Sequence, residues 1–336
     1  MANIGVIGSG TWGTALAVLL VQNGCQATLW SAFEDEAKVL CTARKHPNLP
    51  DAVIPQQMEI TTDLKKAMED KDILVLAVPS IFVRQTAAKM ASHCREGQII
   101  VNVAKGIEEK SLKVLSQVIE DELPMADVAV LSGPSHAEEV SRFLPTTCVA
   151  GAHSKATAEA IQKVFMSQAF RVYTSPDMIG IELGAALKNV IALAAGIADG
   201  LGYGDNTKAA LITRGIAEIS RLGTVMGGKP QTFAGLSGTG DLIVTCASVH
   251  SRNRRAGILM GKGYSMEEAM KEVKMVVEGV YSAKAALALS QKYQVPMPIV
   301  EQVNQILFAG KAAGEAVHDL MLRHRQIESQ ELLWEK

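Results

Sequence analysis

The sequence predicts an α/β protein in two parts: an N-terminal Rossmann-type, doubly wound sheet over residues 1–175 and an all-α domain over residues 176–336. Three observations predict this. A glycine-rich loop follows the first predicted strand, apolar runs bounded by turn residues alternate with helices through the first half, and the strand signal stops near Ser175. A chain of 336 residues is long enough for two domains with separate cores.

The chain opens with a predicted strand, Ala2–Ile7, a Gly8-x-Gly10-x-x-Gly13 loop and a helix over Thr14–Val21. The first glycine makes the tight turn, the second lets a pyrophosphate approach the backbone, and the third lets the helix pack on the strand. Free N–H groups at the helix start then face the phosphates. The pattern predicts dinucleotide binding; the alternative is a glycine-rich turn without a ligand.

The second predicted strand, Gln26–Trp30, should end beside the adenosine ribose, where NAD-selective sites place an acidic residue. Ser31–Ala32 follows instead, and Glu34–Asp35 comes late enough to cap the next helix. The sequence also offers no arginine there for a 2′-phosphate, and Lys38 and Arg44 are the nearest basic side chains. We therefore expect both NADP and NAD to be used, with NADPH modestly favoured.

Further apolar runs predict the rest of a parallel sheet covered on both faces. They are Asp72–Val78, Gln98–Val103, Val128–Leu131, Thr147–Ala150 and Phe170–Tyr173. Ligands of such sheets lie beyond the carboxyl ends of the strands, which is where Lys105 and Gly133-Pro134-Ser135 fall.

Beyond Ser175 the pattern is helical, with glycine-rich or polar interruptions at 233–241 and 248–255. The predicted helices are Pro176–Asp199, Asn206–Val225, Arg254–Gly261, Ser265–Lys271, Ser282–Tyr293 and Pro298–Ala309.

Composition excludes several classes. A net charge of −2 and 4% aromatic residues disfavour a nucleic-acid surface. Five dispersed cysteines without a CxxC pair indicate a reduced, cytoplasmic protein with neither disulfides nor a metal site. The apolar N-terminus lacks the basic region of a signal peptide, and no uninterrupted apolar run reaches the length of a membrane span.

Lys188 is the only charged residue between Glu182 and Asp199 in an otherwise apolar, small-residue helix. A buried lysine must be paired or have its pKa lowered, and a lowered pKa makes it a usable base. The alternative is a lysine that extends to the helix surface. Lys105 is either functional or an ordinary loop lysine, and Asp241 either pairs with a lysine or caps a helix.

The run Ser251-Arg252-Asn253-Arg254-Arg255, just before an apolar helix, offers bidentate and neutral donors to a phosphate. The alternative is a solvated basic helix cap. The segment with Val276 and Glu278 could approach a cofactor, but nothing local in the sequence demands it.

Six motifs in order, taken together, resemble bacterial NAD(P)-dependent glycerol-3-phosphate dehydrogenases from Ile4 to about Pro298. They are Gly8 to Leu16, Asn102 to Glu108, Leu131 to Ala137, Glu182 to Asn189, Gly240-Asp241-Leu242 and Ser251-Arg252-Asn253. The resemblance implies a Rossmann domain followed by a helical substrate-binding domain, usually in a homodimer. It also implies interconversion of glycerone phosphate and sn-glycerol 3-phosphate, which supplies the phospholipid backbone.

The resemblance assigns roles to individual positions. Lys188 would be the proton acceptor, and Lys105 would contact both substrate and cofactor. The substrate would lie against Gly133, Ser135, Asp241, Ser251, Arg252 and Asn253. The nucleotide would lie against the glycine loop and Thr11, Trp12, Lys105, Ala137, Arg252, Val276 and Glu278. The chain departs from the family pattern at Ser31-Ala32, Ser237 and Thr239; we expect the last two to affect packing only.

Two other functions remain open from the residues. The nearest is a dehydrogenase of the same architecture that acts on a different acid or phosphate. The other is a catalytically silent nucleotide-binding module that senses redox state, which would leave Lys188 without a role.

Overall fold

The computed structural model describes residues 1–324 and 327–328. Its centre is one eight-stranded sheet in the order β3-β2-β1-β4-β5-β6-β7-β8. The strands are β1 (Asn3–Ile7), β2 (Gln26–Trp30), β3 (Glu59–Thr61), β4 (Ile73–Leu76), β5 (Ile99–Asn102), β6 (Asp127–Ser132), β7 (Thr146–Ala152) and β8 (Phe170–Ser175). The order reverses between β1 and β4, which confirms the predicted doubly wound fold.

Six of the seven strand pairings are parallel, but β7 runs antiparallel to β6. The expectation of a wholly parallel sheet is therefore wrong at this pair. A parallel pair needs a crossover, usually a helix, that returns the chain along one face of the sheet. The connection over 133–145 contains only a four-residue helix, α6 (Ala137–Val140), which is too short to do so.

Helices cover both faces of the sheet, as the continuous apolar strands require. Along β4, Ile73 and Val75 join one apolar cluster, whereas Leu74 and Leu76 join the other. The other helices of this part are α1 (Thr11–Gln22), α2 (Glu34–Ala43), α3 (Leu64–Met68), α4 (Val83–Met90), α5 (Leu115–Glu122) and α7 (Lys155–Phe165).

The second half is helical, as predicted. Its helices are α8 (Met178–Gly200), α9 (Asp205–Val225), α10 (Pro230–Phe233), α11 (Asp241–Ala247), α12 (Arg252–Gly261), α13 (Met266–Val273), α14 (Glu278–Tyr293), α15 (Pro298–Ala309) and α16 (Ala313–Met321). A π-helical turn, Leu236–Gly240, precedes α11. The predicted helices at 254 and 282 begin earlier, at Arg252 and Glu278, while α10, α11 and α16 were not predicted.

The 23-residue helix α8 belongs to both parts of the molecule. Its first turns, with Met178 and Ile181, pack in an apolar cluster of the sheet, whereas Leu187 to Ile197 lie in the core of the helical half. By length and mean hydropathy (1.6) it would pass for a membrane span, but 89% of that stretch is buried inside the protein. Because one helix serves both cores, a domain boundary at residue 175 stays a prediction.

A buried carboxylate fixes α8 to the sheet. Glu182 accepts hydrogen bonds from Asn102 Nδ2 (3.1 Å), Ser116 N (2.9 Å) and Ser116 Oγ (2.5 Å). Asn102 Oδ1 in turn accepts from the N–H of Ala104 (3.1 Å) and so shapes the loop that carries Lys105. Burial raises the pKa of Glu182 to about 7, although its three hydrogen bonds favour the ionised form.

The raised pKa of Glu182 predicts a pH-dependent stability. The folded state holds this proton more tightly than the unfolded chain, whose pKa is near 4.5. The contribution of this group to the free energy of unfolding is therefore fully present below that pH and declines as the pH rises toward about 7. Glu182→Gln does not titrate. As the pH rises across this interval, the free energy of unfolding of the wild type should therefore fall relative to that of the variant. Denaturant titrations at several pH values measure this difference.

Glu182→Ala is the contrasting variant. It leaves the N–H of Ser116 without an acceptor and should cost about 1–3 kcal/mol or more at every pH. If the wild type and Glu182→Gln gave parallel curves of stability against pH, Glu182 would not titrate in this range.

Candidate active site

The carboxyl ends of the strands and the helical half together enclose a cavity of about 740 Å³. It brings together most of the residues that the sequence singled out. Those on its wall are Gly8, Gly10, Thr11, Trp12, Lys105, Ser135, Ala137, Lys188, Ser251, Arg252, Asn253, Val276 and Glu278. One cavity therefore joins the glycine loop, both candidate lysines and the start of α12.

Three predicted residues lie behind this wall rather than on it. Gly13 packs so closely on the loop that an added Cβ would lie 1.9 Å from the carbonyl oxygen of Gly8. The carbonyl of Gly133 accepts from Lys105 Nζ (3.0 Å) and Ser135 Oγ (3.0 Å). Asp241, only 1% exposed, lies beneath the two lysines. These residues support the groups that face the cavity.

The Asp241 carboxylate is shared by both lysines. Its Oδ1 lies 2.5 Å from Lys188 Nζ, and its Oδ2 lies 2.7 Å from Lys105 Nζ. Lys188 also donates to Thr245 Oγ1 (2.7 Å), whose own hydrogen goes to the carbonyl of Asp241 (2.6 Å). Thus Lys188 is buried and paired, and does not extend to the helix surface.

The pKa values of the cluster follow from burial and pairing. Burial lowers the pKa of Lys188 to about 8, aided by the charge of Lys105 and opposed by Asp241. Burial alone would raise the pKa of Asp241, but the two ammonium groups outweigh it and hold that pKa below its usual value. The cluster thus contains an ionised acid and an amine that can change protonation state near neutral pH.

The local sequence explains the position of Asp241. The π-helical turn over Leu236–Gly240 continues directly into α11 and places Asp241 at the first residue of that helix. Ser237 is buried, and Thr239 donates to the carbonyl of Phe233 (3.1 Å). Neither side chain lies on the cavity wall, so both act through local packing.

The glycine loop has the features that a pyrophosphate requires. Gly8 has φ +124°, and an added Cβ there would lie 2.7 Å from the backbone of Ala77. Gly10 has open space beside it. It is the N-cap of α1, and no side chain caps this helix or places an acidic group in its first turn, so the free N–H groups remain available. Trp12 Nε1 is buried on the same wall, without a partner among the described residues. The loop therefore fits a dinucleotide.

A carboxylate does lie beside the end of β2, contrary to the sequence-based expectation. Glu36, in the first turn of α2 with Glu34 and Asp35, lies on the cavity wall. Its Oε2 accepts from Ser9 Oγ and Ser31 Oγ, both at 2.7 Å. The side chain reaches back from the helix to the strand end, and the residues directly after the strand give no signal of this. The expected absence of a carboxylate beside this strand end is therefore wrong, whereas the expected NADPH preference itself stays a prediction.

The two basic residues nearest to this strand end in the sequence, Lys38 and Arg44, do not line the cavity. Lys38 lies 3.8 Å from Glu34 on an exposed part of α2. Arg44 donates to the carbonyl oxygen of Met58 (2.9 Å). Neither is on the cavity wall, and neither is therefore placed to hold a 2′-phosphate.

At the other end of the cavity, the polar residues at the start of α12 make different contacts. Ser251 caps the helix by accepting from the N–H of Arg254 (3.2 Å). Arg254 is held by Asp199 (2.7 Å), and exposed Arg255 is off the wall. Arg252 is the arginine of this run that lies on the cavity wall.

Two predicted contact residues have their polar atoms engaged within the protein. Asn253 donates to Asn189 Oδ1 (2.9 Å) and accepts from the N–H of Gly279 (2.8 Å), which ties α12 to α8 and α14. Glu278 accepts from the N–H of Ser80 (3.1 Å) and from its hydroxyl, which ties α14 to the loop after β4. Both line the cavity, but they also hold its wall together.

Sequence reasoning missed three further residues of the site. Thr245 follows Asp241 by four residues, and this helical spacing is the signal that would have found it. His136 and His250 also line the cavity, with ring centroids 6.0 Å apart. Burial lowers the pKa of His136 to about 4, helped by Lys188 and Lys105, so its imidazole is neutral near pH 7. Nothing in the spacing of the two histidines signals this pairing.

Comparison with known proteins agrees with the geometry. Residues 3–158 match the model of the NAD-dependent glycerol-3-phosphate dehydrogenase N-terminus, and residues 177–318 match that of its C-terminus. A glycerol-3-phosphate dehydrogenase [NAD(P)+] of Agathobacter rectalis is 62% identical over 99% of this chain and 100% of its own length. The enzyme of the same name from Bacillus subtilis is 50% identical over 99% of this chain and 98% of its own length.

Solved structures show the same likeness. The crystal structure of glycerol-3-phosphate dehydrogenase from Coxiella burnetii has a TM-score of 0.92 and 37% identity, over 96% of this chain and 99% of that one. The yeast enzyme has a TM-score of 0.82 and 26% identity, over 96% of this chain and 99% of the yeast chain. From its motifs, its cavity and these matches, the chain belongs to the NAD-dependent glycerol-3-phosphate dehydrogenase family.

Proposed function

We propose that this protein is an oxidoreductase that interconverts glycerone phosphate and sn-glycerol 3-phosphate with NADH or NADPH. The observation that carries the proposal is the Lys188–Asp241–Lys105 cluster, which shares one cavity with the glycine loop and Arg252. The names of the relatives, which include both cofactors, support it.

Lys188 is the proposed acid and base. A nicotinamide dinucleotide held by the glycine loop would supply or accept the hydride at C2 of the substrate. In reduction the Lys188 ammonium donates a proton to the C2 oxygen, and in oxidation the neutral amine removes it from the hydroxyl. A pKa of about 8 leaves both forms of Lys188 accessible near neutral pH.

Asp241 and Lys105 prepare this step. Asp241 orients both ammonium groups and limits how far burial lowers the pKa of Lys188. Two ammonium groups around one carboxylate leave a net positive charge at the wall. Lys105, fixed by Asp241 and the carbonyl of Gly133, stabilises negative charge on the C2 oxygen.

Arg252 is the proposed contact for the substrate phosphate. Its guanidinium suits bidentate binding of phosphate, and its position at the start of α12 adds the free N–H groups of the helix. The other proposed substrate contacts at this end of the cavity are Ser251, Asn253 and Ser135. For the nucleotide we retain as proposed contacts Thr11, Trp12, Lys105, Ala137, Arg252, Val276 and Glu278.

Several broader properties are proposed from the family resemblance. They are a cytoplasmic location, supply of the glycerophospholipid backbone, a substrate-binding role for the helical half after residue 175, and assembly as a homodimer. The continuity of α8 across both cores supports close coupling of the two halves rather than independent folding.

One assay distinguishes this activity from its alternatives. Oxidation of NADH and NADPH is followed with glycerone phosphate and with unphosphorylated or carboxylated 2-keto compounds. Preference for another carbonyl would indicate a different dehydrogenase. Cofactor binding without any turnover would indicate a silent module, a function for which the paired Lys188 has no evident use.

Lys188→Ala should lower kcat by about two to four orders of magnitude, because it removes the proton donor and acceptor. Binding of NADH, measured by fluorescence, should survive. In the wild type, oxidation needs the neutral amine and should gain rate as the pH rises through about 8, whereas reduction needs the ammonium and should lose rate over the same interval. Near wild-type turnover in the variant would contradict the assignment.

Arg252→Ala should reduce kcat/KM for glycerone phosphate by about 10- to 150-fold, since a charge-assisted phosphate contact contributes about 1.5–3 kcal/mol. Dihydroxyacetone, which has no phosphate, should lose far less. Arg255→Ala removes the same charge from an exposed position three residues away and serves as the control. Equal losses for both substrates would show that Arg252 does not bind the phosphate.

A homodimer predicts twice the mass of one chain in sedimentation equilibrium across the micromolar range. A single-chain mass at these concentrations would contradict this part of the proposal.

A further inference from the structure

We propose that the Glu36 carboxylate makes this enzyme prefer NADH over NADPH. It would accept a hydrogen bond from the 2′-hydroxyl of the adenosine ribose and repel a 2′-phosphate in the same place. This inference rests on the dinucleotide site proposed above. It assigns a specificity role to a residue outside the glycine motif, and it reverses the preference that the sequence alone suggested.

The first step is the location of the carboxylate. In doubly wound sheets the ribose of the adenosine lies between the glycine loop and the end of the second strand. Glu36 bridges these two segments, because Ser9 belongs to the loop and Ser31 directly follows β2. The acidic group that the strand end lacks is therefore supplied from the first turn of α2.

The second step is that the carboxylate is held in place but keeps a free oxygen. Both serine hydroxyls donate to Oε2, at 2.7 Å each. Within residues 1–324 and 327–328, Oε1 accepts no hydrogen bond. One oxygen is thus anchored, while the other remains available to a hydroxyl group that enters the cavity. A fixed acceptor loses little freedom on binding, which favours affinity.

The third step is the charge of the surroundings. Ala32 and Phe33 form the wall beside Glu36, and both are apolar. The exposed ring of Phe33, 70% accessible, offers a flat surface for the adenine base instead of a cation. A 2′-phosphate would therefore meet a carboxylate without the arginine that NADP sites usually provide.

Other basic side chains of the cavity are placed elsewhere. Lys105 and Lys188 are paired with Asp241, and Arg252 lies at the start of α12. Lys89, on α4, is the remaining lysine or arginine on the described cavity wall. It competes with Glu36 as a determinant of cofactor choice, and the experiment therefore includes it.

The test measures cofactor binding without substrate. Trp12 and Trp30 both line the cavity, so their fluorescence reports NADH and NADPH directly. The wild type should bind NADH about tenfold or more tightly than NADPH. Glu36→Gln keeps the shape and can still accept from a serine, but it removes the charge; it should reduce this ratio about tenfold, mainly through tighter NADPH binding.

Glu34→Gln is the matched control, because it removes the same charge from the same helical turn at an exposed position off the cavity wall. It should leave the ratio unchanged. Ser31→Ala, which releases one of the two anchors of Glu36, should reduce the ratio by less than Glu36→Gln does. Thermal unfolding of each variant checks that its fold is intact.

Three outcomes would overturn the inference. They are a wild type that binds NADPH as tightly as NADH, equal ratios in the wild type and Glu36→Gln, and a preference that Lys89→Ala abolishes but Glu36→Gln does not. If Glu36 controls the binding ratio but glycerone phosphate is not reduced, the inference stands and the proposed activity fails. If neither cofactor binds, the dinucleotide site itself is wrong.

Discussion

The buried Asp241 carboxylate, shared between two lysine ammonium groups, is the interaction on which the site depends. Buried charges are tolerated only when they are paired with good geometry, and removing one partner leaves an uncompensated charge. Here two cations meet one anion, so the pairing is complete for Asp241 but leaves an excess positive charge beside the cavity. That excess is suited to a substrate oxygen that becomes negative during the reaction.

Such an arrangement requires three separate segments to hold their positions: α8, α11 and the loop after β5. Glu182 attaches α8 to the sheet through Asn102, which also shapes the Lys105 loop. About two turns further along α8, Asn189 accepts a hydrogen bond from Asn253 of α12. At Gly257 the backbones of α8 and α12 approach so closely that an added Cβ would lie 2.3 Å from the carbonyl of Leu193. Lys188 is thus fixed on both sides by contacts outside the reacting groups.

Much of this could be predicted from local signals. The glycine loop has a fixed spacing, the buried strands are uninterrupted apolar runs, and Lys188 is one charge in an apolar helix. What could not be predicted depends on tertiary structure. The Glu36 carboxylate reaches back to Ser9 and Ser31 from the next helix, β3 is a three-residue strand too short to show periodicity, and the direction of β7 follows from the path of a connection.

The residues proposed for cofactor choice and for proton transfer lie on different elements of the one cavity. Glu36 lies with the glycine loop and β2, whereas Lys188 and Asp241 belong to helices of the second half. In the proposed roles, the negative charge at one end and the excess positive charge at the other would act on different atoms, namely the adenosine ribose and the C2 oxygen. A change of cofactor preference at Glu36 therefore need not alter the pKa of Lys188, whose shift comes from burial, Asp241 and Lys105. In this chain, a substitution of Glu36 would thus change the proposed selectivity between NADH and NADPH without removing any contact of the lysine–aspartate cluster.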